Sequence, residues 1–256
     1  MTTPKIPTVH KGDSRLYVWD GGEYPGVTSV VGMLPKPALQ YWAAKKVAEA
    51  AVERGKVTER DINWLKAAPK RDLNQAANKG TSVHDTLDRL VNGEPVDIPD
   101  DERGFIDGFH QFCDRYTPEF LKTEETVHGE YGEYGYCGSF DAIISIAGET
   151  WLIDFKTTRS GVHPEVAIQL AAYANAHSII HPDGSSEPMS KIDRFGVLWL
   201  RPEEWAFVEL GVTQDPEDNM FKTFGALLGA WHWENRFKKT AIGVRQASGR
   251  SSAAPF

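Results

Sequence analysis

The stretch from Gly138 to Thr158 reads Gly-Ser-Phe-Asp-Ala-Ile-Ile-Ser-Ile-Ala-Gly-Glu-Thr-Trp-Leu-Ile-Asp-Phe-Lys-Thr-Thr. Two β-type runs, Phe140 to Ile146 and Thr150 to Phe155, flank a turn at Ala147-Gly148-Glu149, the signature of a hairpin. Pairing about Gly148 sets Asp141 across from Asp154 to within about one residue of register. Asp154 and Lys156, two apart on one strand, leave the same face. Two carboxylates and an ammonium thus meet in a sheet otherwise built of Ile, Leu, Phe and Trp. Charges rarely sit in such strands without a partner or a function.

Working outward, the pattern before this hairpin is mostly helical. Residues 1–13 are polar with two prolines and are expected to be loose. Arg15 to Trp19 alternates like a strand, and Tyr24 to Leu34 reads as a second extended piece. Pro37 starts a helix over Ala38 to Arg54 with a Leu39, Trp42, Ala43, Val47 stripe. Thr58 with Asp61 predicts an N-cap. Arg71 to Val91 and Pro99 to Tyr116 follow as helices, the latter with Phe105, Ile106, Phe109 and Phe112 at helical spacing. Phe120 to His128 is a predicted strand, and Gly129 to Cys137 a turn or irregular entry into the hairpin. After the hairpin come a helix from His163 to Ile179, a loop from His181 to Ser190, a second hairpin (Arg194–Leu200, Trp205–Leu210) and a helix from Asp215 to Phe237. Residues 241–256, rich in Ser, Ala, Gly and Arg, are expected to be a flexible tail. This order predicts an α/β fold with a central mixed sheet flanked by helices and preceded by a helical region. The expected organisation is a single domain over 1–240: helical part about 36–117, core about 118–211, C-terminal helix about 215–237.

Composition narrows the function. The 256 residues are 41% hydrophobic and 25% charged, ordinary for a globular protein. A net charge of −8 argues against non-specific coating of nucleic acid, but not against a local basic groove. With only Cys113 and Cys137, one chain offers neither a zinc ribbon nor an all-cysteine iron–sulfur site, and a cytoplasmic setting is the default expectation. No apolar run approaches the roughly 18 residues that span a membrane. Gly-rich phosphate loops and Gly-x-Ser-x-Gly are absent from the sequence.

The three charges admit two readings on spacing alone: a structural ion pair, or a site for a hard cation such as Mg²⁺ or Mn²⁺. The second uses Asp141 and Asp154 as oxygen ligands, with the Phe155 carbonyl as a third. Lys156 beside it could orient or deprotonate a water, or stabilise charge on a phosphate. Glu124 and Glu125 on the preceding strand come within reach of an outer position only. Cations that could hold DNA are Lys45, Lys46, Lys66, Lys70, Arg71, Lys79 and Arg159, with Lys238, Lys239, Arg245 and Arg250 towards the C-terminus. Trp42 or Tyr136 could stack a base. His84, one helical turn before Asp88, reads on its own as a paired surface histidine, and Gln169 and Tyr173 as structural residues of one helical face.

The ordered string Gly80-x-x-x-His84, Gly138-x-x-Asp141, Asp154-x-Lys156, Gln169-x-x-x-Tyr173 resembles the RecB-like branch of the PD-(D/E)XK nuclease superfamily. Tyr24-Pro-Gly-Val-Thr-Ser-Val and Leu39-Gln-Tyr-Trp-Ala43 look like phage-borne and CRISPR-adaptation-type members. The resemblance spans roughly residues 24–175, and Ser139-Phe140 stand where the superfamily name has Pro. It implies a restriction-endonuclease-like core. Asp141 and Asp154 would be metal ligands joined by His84, Lys156 would be the catalytic lysine, and Gln169 and Tyr173 would lie at the site. It further implies a Mg²⁺- or Mn²⁺-dependent DNase, an exonuclease rather than a sequence-specific endonuclease, acting on linear DNA ends beside a recombination or annealing protein. Members with an iron–sulfur cluster use four cysteines, so none is expected here. The alternative is a catalytically silent DNA-binding or recombination accessory protein on the same fold.

Overall fold

The computed structural model describes residues 6–12 and 14–241. It opens on an antiparallel sheet of β1 (Thr8–Lys11), β2 (Ser14–Trp19) and β3 (Gly22–Pro25). β1 corrects the expectation of a loose first segment. Its polar alternation carries no apolar signal, and its order comes from pairing with Ser14–Tyr17. The extended piece expected over Tyr24–Leu34 is also corrected, because Val27–Val31 forms a helical turn, α1. Strand propensity yields there to burial of Val27, Val30 and Val31 on one helical face.

Four helices follow. α2 (Ala38–Arg54) ends at Gly55, whose φ of 76° suits glycine. Its anticipated stripe is not core: Leu39 is exposed, and only Ala50 is buried along the helix. A turn at Glu59–Asp61 enters α3 (Ile62–Lys66), and the Thr58–Asp61 capping box forms as expected, with Thr58 N donating to Asp61 Oδ2 at 2.9 Å. α4 (Ala68–Val91) runs unbroken through Gly80. α5 (Arg103–Tyr116) starts four residues later than Pro99 and stops at left-handed Thr117.

The single strand expected over Phe120–His128 is two, β4 (Glu119–Thr123) and β5 (Thr126–Tyr131), broken at Glu124, whose φ is +52°. The irregular segment expected before the hairpin is instead β6 (Tyr134–Ser139), paired with β5 across a turn at Gly132. β7 (Ala142–Ile146) and β8 (Glu149–Lys156) are the predicted hairpin. Ala147 and Gly148 both have positive φ, the two-residue turn that matches strand twist. α6 (Glu165–Ala174) is shorter than expected, since Ser178–Ile180 leaves the helix as β9 and pairs with β5. The anticipated loop then contains β10 (Ser186–Pro188). β11 (Arg194–Leu200) and β12 (Trp205–Glu209) form the second hairpin. α7 (Asn219–His232) continues into a wider turn at Trp233–Phe237. Of the expected flexible tail, only Ala241 is among the described residues.

The chain is thus an α/β fold. Its five-stranded sheet, β12-β11-β8-β7-β4, is mixed: β11 and β8 run parallel and the other pairs antiparallel. A four-stranded antiparallel sheet, β10-β9-β5-β6, stands beside it. Alternation divides the five-stranded sheet between two cores. Ile143, Leu152 and Phe195 cluster with Leu170 of α6 and Phe224 of α7. Ala142, Ile144, Ile153, Phe155 and Leu198 cluster with Val83 and Leu87 of α4 and Phe109 and Phe112 of α5. α4 therefore lies on the sheet, which brings His84 to the hairpin.

Candidate metal centre

The hairpin register decides the centre. Ala142 faces Ile153, so the next pair outward is Asp141 and Asp154. Both are buried, 6% and 2% exposed, although both are acidic. Asp141 is fixed from two sides. Phe155 N donates to its Oδ2 at 2.5 Å, and its backbone carbonyl accepts from Glu124 N at 2.9 Å. His84 Nδ1 lies 3.6 Å from Asp141 Oδ1, and the imidazole meets the Phe155 ring edge-on. The histidine turned to the sheet, rather than to Asp88, because Val83 and Leu87 on either side of it are buried in the same core.

Asp154 is held by different groups. Lys156 Nζ lies 2.9 Å from its Oδ1 and 2.7 Å from its Oδ2, and Gln169 Nε2 donates to Oδ1 at 2.8 Å. Gln169 Nε2 also reaches Tyr173 Oη, at 3.4 Å. Gln169 is thus in direct contact with the Asp154 carboxylate, and Tyr173 lies next to Gln169. Phe155 contributes its N–H to Asp141 and its ring to the core.

The electrostatics follow from burial against charge. For Asp141 burial pushes the carboxyl up, but His84, Lys156 and the Phe155 N–H outweigh it, and the net shift is downward. For Asp154 burial and the neighbouring Asp141 charge prevail over Lys156, and the shift is upward. Burial disfavours the Lys156 ammonium, yet Asp154 and Asp141 raise its pKa, so it stays charged.

Glu124 is the residue that sequence reasoning underrated. It is 8% exposed, and burial, with the charges of Asp141 and Asp88 added, pushes its carboxyl up to about 9. Its Oε2 and His84 Nδ1 are buried with no hydrogen-bond partner. One ligand atom each from His84, Glu124 and Asp141 lies within 4.8 Å of the others, and Asp154 is not in this group. A histidine nitrogen and two carboxylate oxygens, from a group in which two residues carry a buried polar atom with no hydrogen bond, suit a divalent cation. The only sequence hint was an acidic pair within the predicted strand Phe120–His128. The left-handed backbone at Glu124 that breaks this strand has no periodic signature.

A cavity of about 1120 Å³ opens at the centre, with His84, Asp141, Asp154, Lys156 and Gln169 in its lining. Arg71, Lys79 and Arg159 also line it. Lys45, Lys46, Lys66 and Lys70 do not. Lys46 pairs instead with Asp72 and Glu49, and Lys79 is shared with Asp101 and Glu102. Arg15 and Arg201 join the lining without having been singled out. Tyr136 is corrected as a stacking candidate: it is fully buried and donates its hydroxyl to Ala172 O. Trp42 is half-buried and lies outside the cavity lining. Lys238 and Lys239 are exposed, whereas Arg245 and Arg250 lie outside the described residues. Among the described residues no helix is long and apolar enough to cross a membrane.

The fold and centre define a class, an α/β protein with a buried histidine–carboxylate cluster at the floor of a cation-lined cavity. No family model and no curated protein matches the chain. Among solved structures, one described as "Crystal structure of SSO0001" aligns with 80% of this chain and 90% of that chain, at 15% identity and a TM-score of 0.37. A likeness that loose carries no argument about fold or function.

Proposed function

We propose that the chain is a Mg²⁺- or Mn²⁺-dependent deoxyribonuclease of the PD-(D/E)XK superfamily, RecB-like branch. Its restriction-endonuclease-like core would be the five-stranded sheet with α4, α5 and α6. The observation that carries the reading is the convergence of His84, Asp141, Asp154, Lys156 and Gln169 on one cavity, where Lys156 and Gln169 both contact Asp154 and His84 lies beside Asp141. They come from α4, β8 and α6 and from the residue just before β7, and little but a shared chemistry explains why four separate pieces of chain bring polar groups to one spot.

In this reading Asp141, Asp154, His84 and the Phe155 carbonyl hold the cation. When bound, such a cation polarises a phosphoryl oxygen and lowers the pKa of a water. Lys156, kept charged by its two carboxylate neighbours, stabilises negative charge on the phosphate rather than removing a proton. Gln169 fixes the Asp154 carboxylate. Arg71, Lys79, Arg159, Arg15 and Arg201 offer cationic contacts to a DNA backbone. The preference for linear ends, as an exonuclease, rests on the resemblance of the motif string alone.

The test is end-labelled single- and double-stranded linear DNA with Mg²⁺ or Mn²⁺. Lys156→Ala should lower cleavage by about 100-fold or more, the scale of removing one group that stabilises transition-state charge. Undiminished cleavage by that variant defeats the reading, and so does a wild type that cleaves neither substrate. DNA binding by a wild type that never cleaves would favour an accessory protein.

A further inference from the structure

Glu124 has four features that a structural glutamate would not be expected to combine. It sits at the break between β4 and β5 with φ of +52°, a left-handed backbone that costs a non-glycine residue about 1 kcal/mol or more. It is pinned there: its N–H donates to Asp141 O at 2.9 Å, and Phe140 N donates to the carbonyl of the next residue at 3.1 Å. Its carboxylate is more than nine-tenths buried, and Oε2 has no hydrogen-bond partner. Finally, it shares a space within 4.8 Å with His84 and Asp141, where the imidazole Nδ1 also lacks a hydrogen bond. A glycine would occupy the turn without strain, and an exposed glutamate would need no burial.

We propose that Glu124 is a direct ligand of a divalent cation, completing with His84 Nδ1 and a carboxylate oxygen of Asp141 a three-residue site. Atoms on opposite sides of an ion with bonds of about 2.1 Å stand about 4.2 Å apart, so a spread of 4.8 Å closes with a small side-chain movement. Glu124 is absent from the cavity lining that includes the other two. Asp154, whose oxygens also meet Lys156 and Gln169, keeps the place it has in the reading above, and Glu124 is added to it. The inference rests on the metal-dependent reading above and adds to it a ligand that the motif string lacks.

The experiment is calorimetric titration of MnCl₂ into the full chain, with Mn²⁺ electron paramagnetic resonance counting bound ions. Glu124→Gln keeps shape and removes charge. Glu124→Gly removes the side chain and relieves the backbone, so it keeps a folded protein available if the glutamine variant does not fold. Both should weaken Mn²⁺ binding by at least about 10-fold, as should His84→Ala, since even groups that only orient a ligand matter on that scale. Wild-type affinity in the glutamate variants, with binding lost in His84→Ala, overturns the assignment and leaves the nuclease reading standing. A wild type that binds no Mn²⁺ at millimolar concentration removes the metal-dependent reading, and the assignment with it.

Discussion

At the residue scale the site depends on close approaches that leave no room for a side chain. Gly138, three residues before Asp141, is such a place. A Cβ there would lie 2.5 Å from the Tyr173 ring and 3.0 Å from Val27. Both neighbours are buried, so neither can swing away. Gly138→Ala should therefore destabilise the protein by about 1–3 kcal/mol, the usual cost of overpacking, read from urea midpoints. Tyr173→Phe is the contrasting change. Its hydroxyl gains only a long contact from Gln169, so the loss should stay below about 1 kcal/mol in the same measurement. The glycine of the Gly-x-x-Asp pattern is thus explained by packing, independently of any reaction.

At the element scale α7 carries a pH-dependent weakness far from the cavity. His232 is buried at its C-terminal end, stacked on Tyr134 with ring centres 4.1 Å apart, and neither ring nitrogen has a hydrogen bond. Burial, helped by Arg236 and opposed by Glu133, lowers its pKa from 6.5 to about 4. The folded state thus keeps the ring neutral while the unfolded chain takes up a proton near pH 6.5. Stability from this group is complete above that value and falls as pH drops towards 4. His232→Phe should flatten the decline of melting temperature between pH 6.5 and 4. An unchanged slope would show that other groups set it. α4, by contrast, packs beside the site. Its continuity through Gly80 keeps His84 in phase with Val83 and Leu87, and the Cβ-free backbone at Gly80 lies against Thr157, just past Lys156.

At the scale of the whole molecule, stability and site share the five-stranded sheet. Phe112 is fully buried and meets Tyr116, Trp205 and Phe207. Phe112→Ala should cost about 3–5 kcal/mol by denaturant unfolding, the range for an aromatic removed from a core. Because the sheet carries the acidic floor, a ligand bound there should stabilise the whole chain. Mn²⁺ is expected to raise the melting temperature of the wild type by mass action, and to raise that of His84→Ala much less. Equal shifts in both proteins would place the ion elsewhere.

Local chemistry alone determined a good part of this. The β7–β8 hairpin, its register and the facing of Asp141, Asp154 and Lys156 were legible because a two-residue period and a Gly turn are properties of adjacent residues. The helices α2, α4 and α5 and the second hairpin were legible for the same reason. Where the sequence misled, contacts made at a distance outweighed local preference. Buried valines turned a β-branched run into α1, and pairing with β5 drew Ser178–Ile180 out of the expected helix. His84 could not be told from a surface histidine until α4 lay on the sheet. Glu124 could not be told from an ordinary acid of a strand until folding buried it beside His84 and Asp141. Which charges share one buried space depends on chain segments up to 57 residues apart, His84 to Asp141. Only tertiary packing, by excluding water around them, decided that.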